Sequence, residues 1–217
     1  MTHIIKAFNA PEPTTKMAWE ITESQMETAL PNDYKELIDR MGGGYMEKYM
    51  YILEPNCRNE HYDLLDLTDE RTEANETMWK SEAKPPELQI EGSFVIPWAT
   101  TDNGEYLFWR CLPGQHPDEW TVILNQGRDW TWEHHEMNCT DFLCAALKKE
   151  IQSEILSDDF PLARHVFASF DPALRRSIRH TGIRRPNRRL KKRFVRNAVP
   201  RTRPRPYRLR NIGVQRR

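Results

Sequence analysis

The sequence lacks long apolar runs, and no stretch reaches the ~18 apolar residues that a membrane-spanning helix needs. Residues 1–6 do not contain the apolar core of a signal peptide, and Glu12 follows soon after them. Cysteine is scarce, and no two cysteines form a CxxC pair; the four lie at Cys57, Cys111, Cys139 and Cys144. We therefore expect a cytoplasmic protein with reduced thiols that contacts no membrane.

Acidic residues are absent from the C-terminal part of the chain. Residues 173–217 contain 18 Lys and Arg and no Asp or Glu, whereas residues 1–172 contain 14 Lys and Arg and all 32 Asp and Glu. The formal net charge of +0 thus divides into −18 for the first part and +18 for the second. This division predicts an acidic domain of residues 1–172, followed by a basic tail of residues 173–217.

Apolar residues are scarce in the basic tail, so burial cannot offset the entropy of ordering it. We expect the tail to be disordered and to bind nucleic acid or another anionic partner nonspecifically, because only Phe194 and Tyr207 are available to stack on bases. The candidate anion-binding residues are Arg184, Arg185, Arg188, Arg189, Lys191, Lys192 and Arg193. Two alternatives stay open: a tail that folds back on the acidic domain or has no defined role, and a tail translated from a misassigned reading frame.

The acidic domain is predicted to have an α+β fold, with N-terminal helices, a largely antiparallel mixed sheet and a C-terminal helix. Residues 1–13 are predicted to be irregular, and a first helix to run from Thr14 or Thr15 to about Ala29. In a second helix, apolar residues recur with helical spacing at Tyr34, Leu37, Ile38 and Met41. The glycines at 42–44 end that helix, because glycine adopts the left-handed cap conformation at little cost.

Short β-prone segments separated by turn residues predict the sheet. We expect strands at residues 49–53, 94–99, 106–109, 120–124 and 130–133, the last four forming an antiparallel meander. A peripheral helix is predicted from about Thr68 to Ser81. Thr140 is predicted to cap a last helix, and a further amphipathic stretch to extend to about Phe170.

Two sequence elements occur in a recognisable order. The first element begins a helix that ends in glycines, and its residues are Leu30-Pro31-Asn32-Asp33-Tyr34. The second element comes later in the chain and consists of Pro97, Asn103-Gly104 and Phe108-Trp109. This order, over residues 17–150, resembles the SUKH superfamily, which includes fungal cell-wall-assembly regulators and many bacterial toxin-immunity proteins. The residues that carry the resemblance are Leu30, Pro31, Asp33, Tyr34, Gly42, Gly43, Pro97, Asn103, Gly104, Phe108 and Trp109. The chain departs from the family pattern at Glu105, where the family often has Asp, and at Trp98, which replaces a smaller residue or Phe.

The resemblance implies a single α+β domain without catalytic machinery or cofactor. In bacteria such domains bind a cognate toxin, often a nuclease, and block it, whereas in fungi they act as signalling scaffolds. We therefore expect an immunity protein whose partner is a protein, such as a basic toxin domain. The alternative is a regulatory or scaffold protein of the cell-wall-assembly-regulator type, whose basic tail contacts nucleic acid or another anionic partner. The oligomeric state stays open.

No catalytic or metal-binding constellation accompanies these elements. His135 and Cys139 have the i, i+4 spacing of a helical ligand pair, but no second pair follows at metal spacing. The glycines at 42–44 follow a helix and lack the GK[ST] ending of a phosphate-binding loop. We therefore predict no catalytic, cofactor-binding or metal-binding residues, and we interpret the cysteines as structural thiols.

Tryptophan is concentrated in the predicted sheet. Alternation directs neighbours such as Phe108 and Trp109 to opposite faces, so that one of the two is exposed unless a helix covers it. An exposed aromatic residue surrounded by acids would anchor a protein interface, and plain core packing is the alternative. The candidate interface residues are Trp109, Trp130 and Trp132, and the net charge of −18 suits a basic partner.

Overall fold

The computed structural model describes residues 2–8, 17–127 and 131–171. Within these ranges the helices are α1 (Thr2–Phe8), α2 (Trp19–Gln25), α3 (Asn32–Met41), α4 (Leu64–Met78) and α5 (Cys139–Leu147). The strands are β1 (Gly44–Met46), β2 (Met50–Ile52), β3 (Phe94–Thr101), β4 (Tyr106–Cys111), β5 (Thr121–Asn125), β6 (Trp132–His135) and β7 (Phe167–Ser169). The α+β prediction is confirmed. Trp130 and the basic tail lie outside the described residues, so what was predicted for them stays a prediction.

The strands form one antiparallel sheet in the order β6-β5-β4-β3-β2-β1-β7. The predicted meander is confirmed, and β1 and β7 extend the sheet beyond the predicted strands. β7 lies where an amphipathic stretch was predicted to reach Phe170, and its Ser169 pairs with Gly44 of β1. That prediction is wrong because pairing between segments so distant in the chain leaves no periodic signal in the sequence.

The main core lies on the sheet face that α3 and α5 cover. Strand alternation directs Trp98 and Trp109 to this face, where both side chains are fully buried. α1 contributes Ile4 and Phe8, which are also buried. The prediction that residues 1–13 are irregular is therefore wrong for α1. A helix of seven residues is marginal in isolation, and α1 gains its stability by packing against α5.

α4 and the segment that follows it cover the opposite face of the sheet over β3, β4 and β5. Phe108 and Ile123 are buried there against Leu88. Trp132 packs beside Phe108, with ring centroids 5.7 Å apart. Because helices and their connections cover both faces, Phe108 and Trp109 are both buried although alternation points them in opposite directions.

Side-chain caps decide where α4 and α5 begin. Asp63 Oδ1 accepts a hydrogen bond of 2.9 Å from the backbone amide two residues later, so α4 begins four residues before the predicted start at Thr68. Asn138 Oδ1 accepts a hydrogen bond of 2.8 Å from the amide of Asp141. Asn138 rather than Thr140 is thus the cap of α5, which corrects the prediction by two residues.

The helices before the sheet follow the predictions more closely. α2 lies inside the helix predicted from Thr14 to Ala29 but is shorter, and Glu27 beyond its end has a φ of +54°. α3 ends at Met41 as predicted, and Gly42 follows it with a φ of +66°. Among the described helices, none combines the length and apolar character that crossing a membrane requires.

The Leu-Pro-x-Asp-Tyr element fastens α3 to two other parts of the domain. Asp33 Oδ2 accepts hydrogen bonds from the amide of Thr140 at 3.0 Å and from Sγ of Cys139 at 3.2 Å, both at the start of α5. A carboxylate in this position also interacts favourably with the positive end of that helix. Tyr34 Oη donates a hydrogen bond of 2.7 Å to the carbonyl of Leu53, just after β2. The element therefore has a structural role.

Replacing Tyr34 by phenylalanine is expected to lower the free energy of unfolding by about 1–3 kcal/mol. Tyr34 is fully buried, so the substitution leaves the carbonyl of Leu53 without its hydrogen-bond donor. The matched control is Tyr106→Phe, because the Tyr106 hydroxyl makes no hydrogen bond within the described part of the chain and the ring is partly exposed. Urea unfolding of both variants tests this, and equal losses of stability would contradict it.

Candidate protein-binding surface

Four aromatic side chains from separate parts of the chain stack on the sheet face opposite the main core. The ring centroids are 4.5 Å apart for Tyr45 and Tyr51, 4.2 Å for Tyr51 and Tyr62, and 5.0 Å for Tyr62 and Phe170. The planes of these successive rings differ by only 21°, 13° and 6°. All four side chains are partly exposed. These four residues and Asp102 are called the tyrosine patch below.

Strand register and close backbone packing position the patch. Tyr45 and Tyr51 lie directly opposite each other in β1 and β2, and alternation turns both away from the main core. The amide of Phe170 donates a hydrogen bond of 2.8 Å to the carbonyl of Gly43, which continues the pairing of β1 with β7. A Cβ atom on Gly43 would lie 2.8 Å from Cβ of Glu54, so this glycine permits the close approach.

Asp102 joins the first two tyrosines from the turn between β3 and β4. Tyr51 donates a hydrogen bond of 2.7 Å to Oδ1 of Asp102, and Tyr45 donates to Oδ2. Burial is the larger cause, and the hydrogen bond to this carboxylate the smaller one, by which the pKa of Tyr45 is raised to about 12. The same two causes raise the pKa of Tyr51. Both hydroxyls therefore stay protonated at neutral pH. The turn also contains Asn103 and Gly104, and Gly104 has a φ of +92°, which favours glycine.

Carboxylates border the patch on the side of β2. Glu54 Oε2 accepts a hydrogen bond of 2.5 Å from the amide of Gly43. Burial raises the pKa of Glu54, and the nearby charges of Asp171 and then Asp63 raise it further. Glu54 thus lies within the electrostatic field of two other carboxylates at this border of the patch.

A shallow pocket of about 400 Å³ adjoins the patch. Its lining includes Tyr51, Tyr62, Glu70, Asp102 and Tyr106. The guanidinium of Arg71 lies over the ring of Tyr106, 4.6 Å from its centroid, and pairs with Glu70. The pocket therefore combines flat aromatic surfaces with an exposed carboxylate at Asp102.

The residues predicted from the resemblance are mostly interior. The buried ones are Leu30, Pro31, Tyr34, Gly42, Gly43, Pro97, Phe108 and Trp109. Asp33 and Gly104 are partly exposed, and Asn103 is exposed beside the patch. The structure thus brings only the Asn103-Gly104 turn to the candidate surface.

The tryptophans proposed as interface residues do not form this surface. Trp109 has no exposed area and contacts Tyr34 edge to face, with centroids 4.8 Å apart, so its indole belongs to the core. Trp132 is partly buried beside Phe108 and Trp79. Trp130 lies outside the described residues. Sequence reasoning missed the patch itself, for which the only local signal is the alternation that turns Tyr51 away from its apolar neighbours.

The histidines and cysteines considered for metal binding have other contacts. His135 Nε2 lies 2.5 Å from Oε1 of Glu133, and Cys139 Sγ donates to Asp33. Across residues 2–8, 17–127 and 131–171, no three or more His, Cys, Asp or Glu residues are grouped to hold a metal ion. All four cysteines are free thiols, and Cys111 and Cys139 are buried.

Comparison with known proteins identifies one family. The family described as SMI1-KNR4 cell-wall, SUKH_6, matches residues 17–143, which is more than half of the chain. The matched region lies within the range over which the sequence resembles SUKH domains. The chain shows no match to a curated protein or to a solved structure.

Proposed function

This chain belongs to the SMI1-KNR4 cell-wall family, and from that premise we propose that it is a cytoplasmic, non-enzymatic immunity protein that binds and neutralises a cognate toxin. Domains of this family are generally non-enzymatic, and SUKH-type proteins include immunity proteins. The toxin would be a basic protein, such as a nuclease, and would be held by direct contact.

The tyrosine patch is the observation that carries this proposal. Tyrosine is enriched among the residues that dominate binding energy at interfaces, because it combines apolar area with a polar tip. Stacking between Tyr51 and its neighbours holds the rings in one arrangement, so little conformational entropy is lost on binding. The charge of −18 over residues 1–172 and the carboxylates beside the patch attract a basic partner.

The proposal predicts a toxin gene immediately upstream of this gene, and the test uses the protein that such a gene encodes. Cells that produce this toxin are expected to survive when they also produce the wild-type chain. The variants Tyr62→Ala and Asp102→Asn are expected to abolish this protection and to raise the dissociation constant at least about 30-fold, which corresponds to the ~2 kcal/mol of a hot-spot residue.

Two matched controls lie away from the patch. Ile21→Ala truncates an exposed apolar side chain of α2, and Glu136→Gln removes an exposed charge beyond β6, at the far edge of the sheet. Both are expected to protect cells as the wild-type chain does. The proposal fails if no complex with the toxin forms, or if the patch variants protect as well as the controls.

A second candidate function rests on the charge of the tail. Its 18 Lys and Arg with no acid favour a regulatory or scaffold protein in which the tail contacts nucleic acid. The test replaces the seven basic residues between 184 and 193 by glutamine in the full chain. Retention of the variant on duplex DNA is expected to weaken and to depend less on salt. In a plot of the logarithm of the binding constant against the logarithm of the salt concentration, the slope is expected to become shallower by roughly 0.9 for each phosphate that the variant no longer neutralises. Identical salt dependence of both proteins would exclude this candidate.

A further inference from the structure

We propose that the pocket beside the tyrosine patch binds the side chain of an arginine that the partner protein inserts into it. This inference rests on the proposed function, because it names the chemical group by which the partner would be recognised. The occupant is a guanidinium group on an exposed segment of the partner. The carboxylate of Asp102 selects a cation, and the aromatic rings favour a planar one.

The aromatic wall of the pocket matches a planar cation. Tyr51, Tyr62 and Tyr106 line the pocket. The rings of Tyr51 and Tyr62 stack on each other, 4.2 Å apart and at 13°, and Phe170, outside the pocket lining, stacks on Tyr62 at 6°. A guanidinium group is flat and weakly hydrated, so it stacks on such surfaces and gains cation–π attraction. A lysine ammonium group is compact and strongly hydrated, and it gains less from a flat wall.

Asp102 supplies the charge at the end of this wall. Its carboxylate is held by the hydroxyls of Tyr45 and Tyr51, one on each oxygen. An ionised carboxylate has about four acceptor sites, so two hydrogen bonds leave room for the paired N–H groups of an arginine. The raised pKa values of both tyrosines keep their hydroxyls protonated, so that both donate to Asp102.

The same pocket wall already holds one guanidinium group in this manner. Arg71 lies over the ring of Tyr106 and pairs with Glu70, and Tyr106 and Glu70 both line the pocket. The charges of Arg71 and Glu70 offset each other, so Asp102 determines the net charge that a second guanidinium meets.

The experiment uses three peptides that differ in one group. The peptides acetyl-(Gly-Arg)₃-amide, its lysine counterpart and its citrulline counterpart are titrated into the ¹⁵N-labelled full chain, and amide chemical shifts are recorded. The arginine peptide is expected to bind at least about tenfold more tightly than the other two, with the largest shifts at Tyr51, Tyr62, Asp102 and Gly104. Equal affinity for the arginine and lysine peptides, or shifts centred elsewhere, would overturn the proposal.

Variants link the affinity to the pocket. Tyr62→Ala removes part of the aromatic wall, and Asp102→Asn removes the charge with almost no change in shape. Each substitution is expected to raise the dissociation constant for the arginine peptide about tenfold. Glu136→Gln is expected to have no effect. If Tyr62→Ala does not fold, Asp102→Asn alone decides, and unchanged affinity in that variant overturns the proposal. A further variant replaces the seven basic residues between 184 and 193 by glutamine. If this variant binds the arginine peptide about tenfold more tightly than the wild type does, the pocket binds an arginine of this chain, and the proposal of a partner's arginine is overturned.

The two proposals fail in different ways. Protection against the toxin that depends on Tyr62 and Asp102, without preference for the arginine peptide, overturns only the arginine assignment. Selective binding of the arginine peptide at the patch, without neutralisation of any neighbouring toxin, overturns the immunity function.

Discussion

Replacing Glu47 by alanine is expected to lower the free energy of unfolding by roughly 2–4 kcal/mol, because a buried hydrogen-bond network loses its central acceptor. Glu47 lies in the turn between β1 and β2, and its side chain has no exposed area. Oε2 accepts a hydrogen bond of 2.8 Å from the amide of Leu162 and lies 3.2 Å from Nδ1 of His165. Oε1 accepts a hydrogen bond of 2.8 Å from the amide of Val166. Without the carboxylate, these groups lose the partner that holds the segment before β7 against the sheet.

Urea unfolding measures the loss of stability, and hydrogen exchange of the amides at 162–169 shows whether this segment is released first. Glu47→Gln is expected to have about half the effect, because its amide oxygen still accepts one of the bonds. Lys48→Ala changes the exposed neighbour in the same turn and is expected to stay within about 0.5 kcal/mol of the wild type. A loss below about 1 kcal/mol in Glu47→Ala, with unchanged exchange, would show that the network is dispensable.

Trp98 is expected to respond very differently to alanine and to phenylalanine. Its indole is fully buried, 6.4 Å from the rings of both Trp109 and Phe142. Trp98→Ala leaves a large cavity and is expected to cost about 3–5 kcal/mol. Trp98→Phe is expected to cost less than about 1.5 kcal/mol, because it also removes a buried indole N–H that has no hydrogen-bond partner among the described residues.

The same urea unfolding experiment separates the two Trp98 variants. A phenylalanine variant as unstable as the alanine variant would show that the shape of the indole, rather than its volume, determines packing at this position. Near-wild-type stability of Trp98→Phe would show that an aromatic side chain of similar volume is sufficient for packing at this position.

Local sequence signals predicted the elements whose ends depend on local chemistry. The helical spacing from Tyr34 to Met41 and the glycine after it predicted α3 correctly, since capping and periodicity act within a few residues. The Asn103-Gly104 turn predicted the β3–β4 hairpin for the same reason. α1 forms because it packs against α5, and β7 forms because it pairs with β1. Both contacts join segments that are distant in the chain, so neither element was predicted.

The sequence by itself determined the charge division, the family and the alternation of the strands, because composition, motif order and period-two patterns belong to the chain before it folds. Only the tertiary structure decided where a partner could bind. Tyr45, Tyr51, Tyr62 and Phe170 come from β1, β2, the connection to α4 and the residue after β7. Their rings meet because strand register and the pairing of β7 with β1 bring distant backbone together. No local pattern in the sequence contains that information.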